Sequence, residues 1–287
     1  MRRQNPARRI LKALDEPYRG RGVPPGTAQH WSWLFAARDA RDALLGVYAL
    51  MAEWRALTDP RTEPAAAHLK LAWWREEIGR LSCGSPLHPI TRYLAALPGA
   101  SGADAAPLGS ALDAAAAEVD GVPLERRDDL ERHAGALQGA PLRFAATLSA
   151  AAADSARLQG CVTMLAAAQY LTRTVVEYRR DARAGRIPFA VDELLAAGIE
   201  NDDLVAVEPP ARLRSHLDTL RARADGYFTA AGAALHPAER APLRHLLVLA
   251  ALGRAQLHRR RDPAVPDFRL SDLYNAWNTA RRAVTAR

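Results

Sequence analysis

The chain has little of what usually announces a chemistry. Its two cysteines, Cys83 and Cys161, stand far apart and outside any CxxC spacing, which argues against a zinc ribbon or a disulfide framework and fits two free thiols in a reducing compartment. No apolar run reaches the ~18 residues that a membrane-spanning helix needs, and the longest candidate, from Ala241 to Leu252, is interrupted by Arg244 and His245. There is no glycine-rich phosphate loop, no HExxH pair and no GxSxG elbow. The 8 histidines are scattered without metal-ligand spacing, so His68, His88 and His133 read as packing or surface groups. No strand-like alternation persists, which argues against a sheet. Lysine is confined to Lys12 and Lys70 although Lys and Arg together number 39. The positive charge is therefore carried by guanidinium.

That charge is the first positive feature. A formal net charge of +7 permits an anionic partner, whether a diphosphate, an anionic lipid or nucleic acid. Nothing in the sequence supports nucleic acid beyond the charge itself, and it ranks last. The basic N-terminus is not followed by a signal-peptide core, which predicts a cytoplasmic protein whose arm could touch the inner face of a membrane.

Alanine and arginine dominate the rest, and such usage favours helix, for which Ala, Leu, Arg and Glu are the strongest formers. Apolar residues recur at helical spacing from about His30, through Leu34, Leu44, Leu45, Tyr48 and Met51 to Leu57, where Asp59-Pro60 ends the run. Further helices are predicted over 65–81, 89–97, 108–120, 124–152, 153–184, 210–235, 237–261 and 271–286, with Ser271 as an N-cap. Gly185 is a natural stop, and a short helix, VDELLAAG, follows it. Residues 1–28 read as an arm and 29–287 as one all-α bundle of about eight to ten helices. The run from His258 to Asp262 reads as a solvated helix end.

The stretch from Tyr170 to Leu195 concentrates the candidate chemistry. Glu177 and Asp181 lie one helical turn apart and share a face. Like charges at that spacing repel unless a cation lies between them. Arg173, Arg180 or Arg183 could serve, and so could a magnesium ion shared with substrate phosphates. Spacing leaves both open.

The order of residues here resembles the second acidic motif of squalene and phytoene synthases, LTNxxRDxxxDxxxGRxYLP. Leu171 and Thr172 match its opening, Glu177 stands at the first aspartate, Asp181 at the second, and Gly185-Arg186 at the following Gly-Arg. Asp192, Glu193, Leu194 and Gly198 match the short helix beyond. Arg41-Asp-Ala-Leu and Val47-Tyr48-Ala49-Leu50 resemble the first-motif helix. Leu112-Asp113 and His133-Ala134-Gly135 resemble the segment that lines the pocket. The resemblance spans about 30–280 and implies the all-α isoprenoid synthase fold and an isoprenoid diphosphate or related lipid as ligand. It points to Glu177, Asp181 and Asp59 as catalytic positions, with Glu177 and Asp181 as magnesium ligands if the ion is retained. Tyr48, Arg55, Arg173 and Arg186 fall where substrate or its phosphates would bind.

The likeness fails at the first acidic motif, YAFCRxxDDxxD. From Tyr48 this chain reads YALMAEWRALTD, so Ala52 replaces the arginine, Arg55 and Ala56 replace the paired aspartates, and only Asp59 remains. Glu53 lies about 200° around the helix from Arg55 and is a poor substitute. In the second motif Arg173 replaces asparagine, Val176 replaces arginine and Pro188 replaces tyrosine. Ionising an allylic diphosphate requires magnesium ions clamped between facing acidic helices, and an arginine there removes ligands and repels the metal. The segment Leu71–Ile78, LAWWREEI, resembles the branch that includes the complex I assembly factor with a phytoene-synthase-like domain; the plain reading of Trp73 and Trp74 is burial. Two expectations follow. One is a non-catalytic or altered protein that holds an isoprenoid-like lipid or a partner protein. The other is an active magnesium-dependent prenyltransferase that joins isoprenoid diphosphates head to head, with Asp59 and Glu53 as a reduced acidic set.

Overall fold

The computed structural model describes residues 18–148, 156–258 and 269–285. Among these the chain is helical throughout, with one isolated bridge between Leu124 and Ala190. The helices are α1 (Ala28–Phe35), α2 (Arg41–Leu57), α3 (Pro64–Ser82), α4 (Pro89–Ala95), α5 (Pro107–Asp120), α6 (Arg127–Ala134), α7 (Ala140–Leu148), α8 (Ala156–Arg183), α9 (Val191–Ala196), α10 (Asn201–Val205), α11 (Ala211–Ala234), α12 (Pro237–Arg240), α13 (Arg244–Leu257) and α14 (Leu270–Thr285).

The all-α expectation holds, and three predicted helices are divided for physical reasons. The first breaks at Ala36–Ala40 without a glycine or proline. There Arg244 donates from Nε to the Phe35 carbonyl at 2.7 Å and from Nη2 to the Ala36 carbonyl at 3.0 Å, while Arg41 takes the Leu34 carbonyl at 2.7 Å. These guanidiniums satisfy helix-end carbonyls that would otherwise lack partners. The helix predicted over 124–152 starts only at Arg127, because Leu124 is extended beside Ala190 and its carbonyl accepts from Val191 N at 2.8 Å. Between α6 and α7, Gly135–Gly139 forms a π-helical turn. Pro141 has no N–H for the Leu137 carbonyl and its ring crowds that group, and a widened preceding turn relieves the clash. Pro242 separates α12 from α13 by the same chemistry. Ser271 lies inside α14 instead of capping it. The predicted arm lies mostly outside the described residues, as does the run beyond His258; His258 itself pairs with Asp225 at 2.7 Å.

Two apolar clusters hold the bundle. The larger joins α1 to α5, α7, the first half of α8, and α13 with α14; the smaller joins the second half of α8 to α9, α10 and α11. Both cysteines are free, Cys161 within the core and Cys83 at the surface. Trp74 is buried as expected, whereas Trp73 remains 40% exposed. No described helix is long and apolar enough to cross a membrane.

Candidate functional site

The C-terminal ends of α2, α5 and α8 converge on one cavity, and glycine is what brings the last two together. α8 ends in a turn where Gly185 takes φ +76°, its N–H bonds the Ala182 carbonyl, and Arg186 N bonds the Asp181 carbonyl at 2.9 Å. α5 ends the same way, with Gly121 at φ +64° and Val122 N on the Ala117 carbonyl. Both are Schellman caps, which need the left-handed backbone that glycine adopts without strain. A Cβ on Gly121 would lie 3.9 Å from Arg186 Cγ, so the two caps abut. The reversal at Gly185 sends Arg186 toward α2, where its Nη1 bonds the Thr58 carbonyl.

The cavity is lined by Arg55, Thr58, Asp59, Glu118, His133, Tyr170, Arg173, Arg180, Asp181 and Arg186, among others, and its volume is about 70 Å³.

Charge inside it is paired in three groups. Arg180 donates to Glu177 Oε2 at 2.8 Å and to Asp181 Oδ1 at 3.1 Å, and Arg55 reaches from α2 to Glu177 Oε1 at 3.3 Å. A guanidinium therefore lies between the two acids of α8, one of the alternatives that their spacing left open. Burial pushes the Asp181 carboxyl up, with Arg180 opposing it. Asp59 is clamped by Arg61, which donates from Nε and Nη2 to the two carboxylate oxygens at 2.9 Å each and from its backbone N–H at 2.9 Å. These bonds hold the Asp59 carboxyl well below the usual range.

The third group lies deeper. Glu118 on α5 accepts from Arg173 through both oxygens and faces His133 Nε2 at 3.3 Å. Burial, the largest influence, pushes its carboxyl up, but the Arg173 charge and the bonds from His133 and Arg173 outweigh it and hold it down at about 2. The Arg173 guanidinium sits 4.8 Å from the Tyr170 ring centre, and its buried Nε has no hydrogen-bond partner.

Of the predicted residues, Asp59, Arg55, Arg173, Asp181 and Arg186 thus meet at the cavity, with Glu177 at its edge. Tyr48 does not. It is buried two turns back along α2, with its hydroxyl 2.9 Å from Ser32 Oγ. Glu53 pairs with Arg21 at 2.9 Å, and Asp113 pairs with Arg75 at the surface. Glu118 went unpredicted, and His133 is a cavity group instead of an ordinary packing residue. The signal for Glu118 was a single acid one turn before a glycine cap in an alanine run, which only tertiary structure makes meaningful.

A family model described as squalene/phytoene synthase matches residues 26–271. Among solved structures, a dehydrosqualene synthase in complex with ligand superposes with a TM-score of 0.77 at 15% identity, covering 98% of this chain and 98% of its own. The squalene synthase HpnC from Alicyclobacillus acidocaldarius superposes with a TM-score of 0.67 at 20% identity, covering 88% of this chain and 90% of its own. No curated protein matches the chain.

Proposed function

The chain belongs to the squalene/phytoene synthase family, and from that premise we propose that it binds the diphosphate head of an isoprenoid directly through arginine, without the divalent-ion cluster that would ionise it. The observation that carries this reading is the pairing of Arg55 with Glu177. Where the family motif sets an aspartate facing α8, this chain sets a guanidinium already bonded to the opposing carboxylate.

The donor set argues against magnesium here. The ion requires near-octahedral oxygen coordination at ~2.0–2.1 Å, usually through one or two carboxylates together with waters and substrate phosphates. Both α8 acids are bonded to Arg180, Asp59 is held on both oxygens by Arg61, and α2 offers Arg55 and Ala56 in place of the paired aspartates. Among the described residues no three His, Cys, Asp or Glu side chains gather as a metal group. Guanidinium, by contrast, grips phosphate bidentately and needs no ion. Arg186 is pre-set by its bond to the Thr58 carbonyl, and Arg55, Arg173 and Arg180 line the same cavity. A bound diphosphate would compete with Glu177 for Arg55, so the carboxylates serve as placeholders for the ligand's charge.

The test uses purified protein with farnesyl or geranylgeranyl diphosphate. Expected are no pyrophosphate release with magnesium present and binding that persists in EDTA. Steady turnover with magnesium would instead establish the active prenyltransferase, and binding abolished by EDTA would refute direct recognition. The family and structural matches do not show the assembly-factor branch that Leu71–Ile78 resembles.

A further inference from the structure

The last helix carries a second feature, independent of the cavity. α14 seats Asp272, Ala276, Ala280 and Ala283 inward against α13 and α1. Its outer face presents Leu270, Tyr274, Trp277 and Val284, which are 77%, 61%, 46% and 48% exposed. With Arg281 these residues fall at alternating steps of four and three, a single stripe along the helix. The stripe is internally ordered. The Tyr274 and Trp277 rings lie 6.1 Å apart, and the Arg281 guanidinium sits 5.4 Å from the Trp277 ring centre.

Large apolar side chains held in water over four turns of one helix mark an interaction surface. The chemistry of this one selects its partner. Tyrosine and tryptophan with leucine on one helix face, bordered by arginine, are the composition of helices that lie in the head-group layer of a bilayer. The only acid of α14, Asp272, is turned inward and buried, so the charges left on the outer side, Arg281 and Arg282, are all positive. A second copy of a chain with net charge +7 would meet repulsion where an anionic lipid surface would meet attraction. We infer that the outer face of α14 docks the protein peripherally on an anionic lipid bilayer, with Tyr274 and Trp277 in the head-group layer and Arg281 and Arg282 on lipid phosphates.

Co-sedimentation of the full chain with vesicles tests this. One set contains phosphatidylglycerol and phosphatidylcholine in equal parts, the other phosphatidylcholine alone. Wild type should partition onto the anionic vesicles, and onto the neutral ones at least roughly ten-fold less. The variants Y274S/W277S and R281Q/R282Q should each lower anionic partition by roughly ten-fold or more, with unchanged melting temperature because all four side chains are exposed. Should the aromatic variant fail to fold, the arginine variant carries the test alone. Equal partition by variants and wild type would overturn the assignment, and so would partition indifferent to lipid charge. A wild-type dimer that Y274S/W277S converts to monomer, with vesicle binding unaltered, would give the stripe to a second copy and equally refute the bilayer.

Discussion

Arg55 and Arg180 hold the same carboxylate from opposite sides: Glu177 accepts from Arg55 through Oε1 at 3.3 Å and from Arg180 through Oε2 at 2.8 Å. One of these arginines is local to α8 and the other crosses from α2, so the contact joins the two walls of the cavity. In an acidic cavity that joint requires a cation. Here it is covalently supplied by the chain.

Restoring the acids should therefore restore the need for metal. In R55D/A56D, Glu177 loses its partner across the cavity and α2 regains two carboxylates. Pyrophosphate binding in EDTA should weaken roughly 10- to 100-fold, as charge-assisted hydrogen bonds worth ~1.5–3 kcal/mol are lost, and should recover when magnesium is added. Titration calorimetry with inorganic pyrophosphate, with and without magnesium, reads both effects. Identical affinities under the two conditions would count against metal substitution by Arg55.

The depth to which this was legible varies by residue. The segment from Glu177 to Gly198 could be read in one dimension because its devices are local: acids one turn apart, a glycine stop, a short helix beyond. The Asp59–Arg61 clamp is equally local, two residues apart, but an Asp two residues before an Arg is too common a pattern to signal a bidentate clamp. The break after Phe35 could not be read, since its cause is Arg244, more than 200 residues downstream. Glu118 was hidden for the same reason. Nothing near it in sequence reveals that Arg173 will arrive from another helix. Tyr48 shows the converse hazard, a motif position whose side chain points into the core beside Ser32.

Glu118 should matter more to stability than its neighbours at the surface. Glu118→Ala leaves the Arg173 guanidinium buried without its counter-charge, at a cost of about 3–5 kcal/mol, and denaturant unfolding at neutral pH measures it. The pH dependence follows from a carboxyl held at about 2 against an unfolded value of ~4.3. Its contribution is complete above the unfolded value and is lost as pH falls through the folded one. Wild type should lose that increment between about pH 4.5 and 2, and Glu118→Ala should show a shallower decline there. Parallel curves would place the Glu118–Arg173 pair outside the energetics of folding.

His245 gives a second acid transition at higher pH. It is fully within the core, neither ring nitrogen has a hydrogen-bond partner, and burial, with Arg244 adding repulsion, lowers it to about 3. The unfolded chain takes up a proton near pH 6.5 and the folded chain resists until about 3, so stability falls across that window as pH drops, by at most ~1.4 kcal/mol per pH unit. His245→Leu should flatten the slope measured by urea unfolding between pH 6 and 4. His216, also buried and lowered, acts in the same direction and keeps the slope from vanishing. An unchanged slope would mean that His245 is solvated or paired in solution.

The turn that positions Arg186 can be tested apart from the arginine itself. Gly185 sits at φ +76° with open space around its Cβ position, so an alanine there meets no clash and pays only the left-handed backbone strain of ~1–2 kcal/mol. Gly185→Ala should lower thermal stability by that amount. It should also weaken pyrophosphate binding, because a chain that relaxes toward negative φ carries Arg186 off the Thr58 carbonyl. Asparagine tolerates this conformation better than alanine, so Gly185→Asn should recover part of both losses. Arg186→Ala separates the two effects: binding should fall while the melting temperature stays close to wild type, since the Gly185 cap remains intact. If Gly185→Ala lost stability while binding pyrophosphate as well as wild type, the cap would be a structural stop alone and Arg186 would not depend on it.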